Sequence, residues 1–264
     1  MEETLTDIEM QNFAEIAYRE LGIRISSQKK ALMSNRLGRR VRELKLPSFK
    51  AYYDYLVNQF NAEIQHFTDA VTTNETYFFR GPRHFHTLAK RVLPELKGET
   101  VEVWSAASST GEEPYSLAIA LLERLPNASS RKIKVYASDI NMSVLKKASE
   151  GIFGSYALRL VKPEHLQKYF SRLDEERYKI TPTIRKMVHY GHHNLIQPFP
   201  KGKLDFIFCR NVLIYFDEKS KKIVFHNLIN ALKPGGYLFL GESEIAPELV
   251  GMHRIEASVV QKKR

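Results

Sequence analysis

The chain has 264 residues, of which 43% are hydrophobic, so it has room for one large domain or a core domain plus a smaller one, and wholesale disorder is excluded. It contains one cysteine and no apolar run near the ~18 residues of a membrane helix, which excludes a disulfide within the chain, a zinc site built from cysteines and membrane insertion. Its net charge of +10 predicts an acidic partner, which charge alone does not identify as nucleic acid, membrane surface or protein.

The pattern of residues 1–72 predicts a small all-α domain. Apolar residues recur at helical spacing in its first helix, which Gly22 is expected to end. A second helix is predicted over residues 27–44, and a third begins after Ser48, a suitable N-cap. The apolar face of the third helix is expected to contain Phe49, Tyr52, Tyr53, Leu56 and Phe60.

Residues 86–264 predict a larger α/β domain, joined to the first by a linker at residues 73–85. After a helix at residues 86–96, apolar strands alternate with helices, which predicts a parallel sheet covered on both faces. Residues 151–188 interrupt this order with an alternation of period two, which predicts a small antiparallel β insertion. The breaker KPGG at residues 233–236 is expected to precede the last strand. The predicted strands cover residues 101–104, 134–139, 205–211 and 235–243, and the helices between them residues 114–125, 142–149 and 218–232.

The stretch WSAASSTGEEPYSLAI, residues 104–119, predicts a strand, a loop of small residues and a helix. Its single glycine, Gly111, does not make the G-x-G-x-x-G loop of a dinucleotide site. Glu112 and Glu113 favour the helix dipole, so helix capping is their simplest role. Two carboxylates at this position would repel a pyrophosphate, so the loop favours a nucleoside without phosphates, above all the cationic S-adenosylmethionine.

Further polar residues fall beyond the carboxyl ends of the strands, where open α/β sheets bind ligands. Asp139 ends the second strand and is expected to accept hydrogen bonds from ribose hydroxyls, the alternative being an N-cap for the helix at residues 142–149. Arg210 and Asn211 end the third strand, and Tyr215 follows within a short turn. These residues predict a ligand cleft at one edge of the sheet.

The segment NETYFFR precedes the sheet and is expected to fold over this cleft. Its candidate site residues are Asn74, Thr76 and Arg80. His192 and His193 are candidate metal ligands, but no acidic or histidine cluster accompanies them, so no metal site is expected. Cys209 lies within an apolar strand and is expected to be a buried hydrophobe.

The second predicted helix and its flanks, residues 24–50, carry nine basic side chains and one acid, Glu43. A solvated face is the ordinary interpretation of such a run, but its one-sided charge favours a docking surface for an acidic partner. The side chains expected to face inward are Leu32, Leu37, Val41 and Leu44. The arginines expected on the docking surface are Arg36, Arg39, Arg40 and Arg42.

Together and in this order, these motifs resemble the CheR family of bacterial chemotaxis receptor methyltransferases. The matching segments are NETYFFR, WSAASSTGEEPYSLAI, ASDIN, HNL, FCRNVLIYFD and LKPGGYLFLGESE, and the resemblance covers nearly the whole chain. It implies a Rossmann-like methyltransferase sheet with a helical N-terminal domain and a β insertion. It also implies transfer of the methyl group of S-adenosylmethionine to glutamate side chains on the cytoplasmic helices of chemoreceptors.

The resemblance assigns roles to individual residues. Arg80 would line the methyl-transfer cleft and Tyr215 would border the acceptor, and our hypothesis is that both position it as the catalytic residues. Glu112 would contact the ammonium of the methionine moiety, and Asp139 would contact the ribose. The basic helix, notably Arg36 and Arg42, would dock the receptor. The cofactor site would contain Asn74, Thr76, Arg80, Glu112, Asp139, Asn194, Leu195, Arg210 and Asn211.

The polar start MEETLTDIEM is unlike a secretory signal, so we expect a cytoplasmic protein. The resemblance implies recruitment to membrane-bound receptor arrays and no nucleic-acid partner, and a monomer is the default expectation. The short turn in FSRLDEERYKITP predicts independence from the C-terminal pentapeptide that some family members grip. One alternative is a nucleic-acid methyltransferase, which the lack of a D/N-P-P-Y/F tetrapeptide after residues 205–211 disfavours. The other is a non-catalytic adaptor that binds S-adenosylmethionine as a signal.

Overall fold

The computed structural model describes residues 4–264, so the first three residues of the predicted N-terminal domain, and of the stretch MEETLTDIEM, lie outside it. The α-helices are, in chain order, α1 (Asp7–Ile16), α2 (Lys30–Glu43), α3 (Phe49–Asn58), α4 (Phe60–Val71), α5 (Pro82–Thr87), α6 (Glu112–Arg124), α7 (Met142–Glu150), α8 (Pro163–Tyr169), α9 (Pro182–Arg185) and α10 (Glu218–Ala231). The strands are β1 (Thr100–Ala106), β2 (Lys132–Asp139), β3 (Ile152–Gly154), β4 (Phe170–Arg172), β5 (Arg177–Ile180), β6 (Val188–His192), β7 (Leu204–Cys209), β8 (Leu232–Phe239), β9 (Met252–Glu256) and β10 (Val259–Lys262).

Helices α1 to α4 pack around a shared aromatic core. The ring of Phe13 on α1 stacks on Tyr52 of α3 and on Phe67 of α4, at centroid distances of 5.7 and 6.0 Å. The local signals at the helix ends are confirmed. Gly22 adopts a φ of 72° where the first helical segment ends, and the Ser48 hydroxyl accepts a hydrogen bond from Ala51 N at 3.0 Å.

Two details of the helical domain differ from the prediction. The third helix does not run through Phe60, because Gln59 leaves helical geometry and α4 starts afresh at Phe60. Leu32 does not face inward but is 42% exposed. Helix α2 instead packs through Met33 and Leu37, and a side chain one position away from Met33 points about 100° from it.

The predicted sheet of strands alternating with helices is confirmed, with seven strands in the order β6-β2-β1-β7-β8-β10-β9. Pairings from β6 to β8 are parallel, whereas β10 pairs antiparallel with both neighbours. Alternate residues of β7 enter two separate cores. Phe206 and Phe208 pack with α6 residues on one face, and Ile207 and Cys209 pack with α10 residues on the other. Both faces are therefore covered, as parallel strands require.

Three boundaries in this domain differ from the prediction. The insertion forms the small antiparallel sheet β3-β5-β4, but residues 188–192 leave it as strand β6 of the main sheet. The helix expected from His86 begins at Pro82, whose fixed φ suits the first helical position. The KPGG segment does not precede β8 but lies within it. The pairing of β7 with β8 shifts register at this segment, which lets the strand continue through it. A Cβ on Gly236 would lie 3.0 Å from the carbonyl oxygen of Lys233, so this bulge needs glycine.

Candidate active site

A cleft lies at the carboxyl edge of the main sheet and is covered by the linker and the N-terminal helices. The sheet register accounts for this position, since Ala106 at the end of β1 pairs with Ser138 of β2 and with Cys209 of β7. Three parallel strands thus end side by side. Of the predicted site residues, those that line the cleft are Asn74, Thr76, Arg80, Asp139, Asn194, Leu195, Arg210, Asn211 and Tyr215.

Asp139 presents a fixed carboxylate to this cleft. Its two oxygens accept hydrogen bonds from Ser109 N at 2.9 Å and Asn141 N at 3.0 Å. The N-cap of α7 is Asn141, whose side chain accepts from Val144 N, so the capping alternative for Asp139 is wrong. Burial raises the pKa of Asp139, while the backbone hydrogen bonds act in the opposite direction. The second lone pair of each oxygen can still accept from a diol.

The loop after β1 has an unusual backbone. Ala107 and Ser109 adopt left-handed φ values of 60° and 50°, and Gly111 has a φ of 98°. A Cβ on Gly111 would lie 2.7 Å from the hydroxyl of Tyr190 and 2.9 Å from the Cβ of Ala148. The single glycine is therefore required by packing against α7 and β6. The small side chains on either side leave the loop open towards the cleft.

Glu112 does not line the cleft, whereas its neighbour Glu113 does. The Glu112 carboxylate accepts a hydrogen bond from the Thr110 hydroxyl at 2.7 Å, and burial raises its pKa. Successive helical residues point about 100° apart, so only one of the two glutamates can face the ligand. Glu113 accepts a hydrogen bond from the Ser105 hydroxyl at 2.7 Å. Burial raises the pKa of Glu113, and Arg210 opposes that shift.

Arg210 joins the sheet edge to the linker. Its Nη1 donates to the carbonyl oxygen of Arg80 at 2.6 Å, and its Nε lies 3.4 Å from Oε2 of Glu113. A Cβ on Gly81 would lie 3.0 Å from Nη2 of Arg210, so glycine allows this approach. The Arg80 side chain donates to the carbonyl of Glu75 at 2.8 Å, which keeps it on the same linker.

The remaining predicted residues connect the cleft to neighbouring segments. Asn194 Nδ2 donates to the carbonyl of Glu20 at 3.1 Å. The ring of Tyr215 lies 5.0 Å from the ammonium of Lys29. Asn211 has a φ of 58°, and its N–H donates to the Glu244 carboxylate at 3.3 Å.

The sequence interpretation missed several residues at this site. Thr72 and His193 also line the cleft. Thr72 is the C-cap of α4, so the end of that helix in the sequence pattern could have indicated it. The contact of Lys29 with Tyr215 joins segments distant in the chain, and no local signal indicates it.

The four arginines of the basic helix divide into two pairs. Arg40 makes a bidentate ion pair with Glu63, with both N–O distances 2.7 Å, and the Glu63 side chain is only 2% exposed. Arg36 donates to the carbonyl of Thr72 at 2.8 Å. Arg39 and Arg42 are exposed. Two of the predicted docking arginines, Arg36 and Arg40, are therefore partly buried and bound to groups of the protein itself.

Within residues 4–264, no group of three or more His, Cys, Asp and Glu side chains could hold a metal ion. His193 instead packs edge-on against Trp104 at 5.6 Å between ring centroids. The described part of the chain also has no helix that is long and apolar enough to cross a membrane. Cys209 is fully buried in β7, as expected.

Two family models match the chain. The CheR methyltransferase all-alpha domain matches residues 8–72, and the CheR methyltransferase SAM binding domain matches residues 74–260. The chemotaxis protein methyltransferase of Salmonella typhimurium is 41% identical over 252 residues, covering 93% of this chain and 86% of that protein. The protein of the same name from Escherichia coli is 40% identical over 246 residues, covering 91% and 85%.

A third relative, chemotaxis protein methyltransferase 2 of Vibrio cholerae, is 36% identical over 248 residues, which cover 91% of this chain and 86% of that protein. The matches span both the helical domain and the sheet with its cleft. The chain therefore belongs to the CheR family of S-adenosylmethionine-dependent methyltransferases.

Proposed function

We propose that this protein transfers the methyl group of S-adenosylmethionine to glutamate carboxylates on the cytoplasmic helices of chemoreceptors, forming methyl esters. The observation that carries the proposal is the cleft that unites Asp139, at the end of β2, with Arg80 and Tyr215. A carboxylate suits the ribose of a nucleoside, and an arginine and a tyrosine that line the same cleft suit an incoming carboxylate. The Salmonella typhimurium and Escherichia coli relatives are named chemotaxis protein methyltransferases, and the matches cover 86% and 85% of their lengths.

The residues present fit S-adenosylmethionine by their chemistry. Asp139 accepts hydrogen bonds from the two ribose hydroxyls, as an acid at this strand end does in related folds. Glu113, which lines the cleft where Glu112 does not, takes the contact with the methionine ammonium. Asn74, Thr76, Asn194 and Asn211 provide further hydrogen-bonding groups. When bound, S-adenosylmethionine supplies a methyl group on a sulfonium and a neutral leaving group.

Little further machinery is required for this reaction. A glutamate side chain with its ordinary pKa of about 4.3 is ionised at neutral pH, so no general base has to activate it. The protein's task is to hold the carboxylate in line with the methyl group and to exclude water. Arg80 and Tyr215 perform that positioning, and neither transfers a proton. Arg80→Ala is accordingly expected to raise the KM for the receptor or to lower kcat.

The receptor docks on the exposed part of the basic helix. Arg39 and Arg42 are exposed on the surface that an acidic receptor helix would approach, while Arg40 fixes α2 to α4 within the domain. This docking brings the protein, as a monomer, to membrane-bound receptor arrays. The turn between β4 and β5 is closed by a hydrogen bond from Leu173 N to Arg177 O at 2.9 Å, and this short turn supports independence from a receptor pentapeptide.

The test is the transfer of labelled methyl from S-adenosylmethionine to a chemoreceptor cytoplasmic fragment, with duplex DNA offered in parallel. The proposal predicts alkali-labile label on the receptor fragment, with or without its C-terminal pentapeptide. A fragment whose methylated glutamates are replaced by alanine is the matched control and should remain unlabelled. Alkali-stable label on DNA would contradict the proposal. Binding of the cofactor without turnover on any receptor would favour an adaptor.

A further inference from the structure

Arg36 lies on the basic helix α2 but makes its contacts at the end of α4 and the start of the linker. Its Nη1 donates to the carbonyl oxygens of Ala70 at 3.3 Å and Thr72 at 2.8 Å. Its Nη2 donates to the hydroxyl of Thr73 at 3.3 Å. Helix α4 ends at Val71, and the last carbonyls of a helix lack partners within it and favour a positive charge. Arg36 therefore caps α4 from a neighbouring helix.

The segment that Arg36 holds leads directly into the cleft. The Thr72 hydroxyl accepts hydrogen bonds from Asn74 Nδ2 at 3.3 Å and from Asn141 Nδ2 at 2.9 Å. Asn141 in turn donates its backbone N–H to Asp139 at 3.0 Å. Thr72, Asn74 and Asp139 all line the cleft. A short series of hydrogen bonds thus connects Arg36 with both sides of the cofactor site.

We propose that Arg36 is a positioning residue for the cofactor site, which acts by fixing the start of the linker that carries Asn74 and Thr76. The inference rests on the proposed function, because it assumes that the cleft binds S-adenosylmethionine. Without the guanidinium, water would solvate the free carbonyls at the end of α4, and the linker would have to be ordered when the ligand binds. That ordering would reduce the affinity for the cofactor.

Arg39 provides the matched comparison. It lies on the same helix and carries the same charge, but it is exposed. A role of Arg36 confined to receptor docking predicts that both arginines affect the receptor alone. A positioning role predicts that Arg36 affects the cofactor even when no receptor is present, whereas Arg39 does not.

The test is calorimetric titration of the full chain with S-adenosylhomocysteine in the absence of receptor. Arg36→Ala is expected to weaken binding about tenfold, Arg36→Lys to recover part of the loss, and Arg39→Ala to leave the affinity unchanged. Circular dichroism checks that each variant is folded. An Arg36→Ala protein that binds as tightly as the wild type would overturn the inference. A wild-type protein that does not bind at all would instead overturn the proposed function.

Thr72→Val is a second variant, for the case that Arg36→Ala does not fold. It keeps Arg36 and removes the hydroxyl that accepts from Asn74 and Asn141. It should weaken S-adenosylhomocysteine binding several-fold, and its effect should be less than additive with that of Arg36→Lys. In turnover, Arg36→Ala and Thr72→Val should raise the KM for S-adenosylmethionine and leave the KM for the receptor unchanged. Full additivity, or an effect on the receptor KM alone, would contradict the inference.

Discussion

The cofactor cleft and the exposed face of α2 hold their charges in opposite ways. In the cleft, Asp139 and Arg210 are buried and bound to backbone groups or to an opposite charge. On α2, Arg39 and Arg42 are exposed. Exposed charges are screened by salt over about 8 Å at physiological ionic strength, and buried ones much less. We therefore expect cofactor binding in this cleft to depend on geometry fixed by folding, and the proposed docking on α2 to depend on ionic strength.

The same contrast separates neighbouring residues within α2. Arg40 is paired with the buried Glu63, which also accepts a hydrogen bond from the Tyr52 hydroxyl at 3.0 Å. Arg39, one position away, is exposed. Neighbouring arginines on one helix thus differ: one is paired with a buried carboxylate of the domain, and the other is exposed at its surface. Four predictions test the contrast between buried and exposed charges.

The largest effect on stability is expected from Arg40→Met. Removing one partner of a buried ion pair costs about 3–5 kcal/mol, because Glu63 is left buried without its counter-charge. Urea unfolding measures this loss, and Arg39→Met, the control, should change the free energy of unfolding by less than about 0.5 kcal/mol. Equal losses in the two variants would refute the division between the two arginines.

Asp139→Ala should weaken S-adenosylhomocysteine binding about a hundredfold. The change removes charge-assisted hydrogen bonds worth about 1.5–3 kcal/mol each, together with the support of the loop at Ser109. Calorimetric titration measures the effect, and Asp139→Asn, which retains one oxygen acceptor, should lose less. An Asp139→Ala protein with wild-type affinity would remove Asp139 from the cofactor site.

Reversing both exposed charges, Arg39→Glu with Arg42→Glu, should raise the KM for the receptor about five- to tenfold at low salt. The difference from the wild type should shrink as salt is added. Steady-state methylation at several salt concentrations measures both effects. Affinity for S-adenosylhomocysteine serves as the control and should not change. A receptor KM that changes with neither charge reversal nor salt would show that the receptor docks on another surface.

The smallest effect is expected from pH. Burial raises the pKa values of Asp139 and Glu113, and the carboxylate forms are those that accept from ribose and attract an ammonium. Protonation therefore begins at a higher pH than for an ordinary carboxyl group of pKa about 4, and binding weakens a few-fold as pH falls from about 8 to about 5. Titrations across this range check the slope, which Asp139→Asn should flatten. A flat wild-type profile would contradict the roles of both carboxylates.

The strand-end residues were predictable because parallel strands end at one edge of a sheet. That rule places Asp139, Arg210 and Asn211 together without knowledge of their contacts. It does not determine the rotation of α6, which decides between Glu112 and Glu113. A one-residue uncertainty in a helix start changes the direction of a side chain by about 100°.

The functions of the α2 arginines were not predictable from their charge. Arg40 pairs with Glu63, 23 positions later in the chain, and Arg36 donates a hydrogen bond to the carbonyl of Thr72. Both partners lie on or beside α4, so the contacts depend on how two helices pack and not on local pattern. The C-terminal hairpin of β9 and β10 was missed for a similar reason. Its strand β10 pairs antiparallel both with β9 and with the more distant β8.

The most direct measurement is to locate the methyl group on the chemoreceptor fragment by tandem mass spectrometry after incubation with S-adenosylmethionine and the wild-type protein or Asp139→Ala. The wild type should place methyl esters on glutamate side chains, and the variant should place far fewer on the same residues. A receptor fragment without modified glutamates, or modification that is equal with both proteins, would contradict methyl transfer from this cleft to carboxylates.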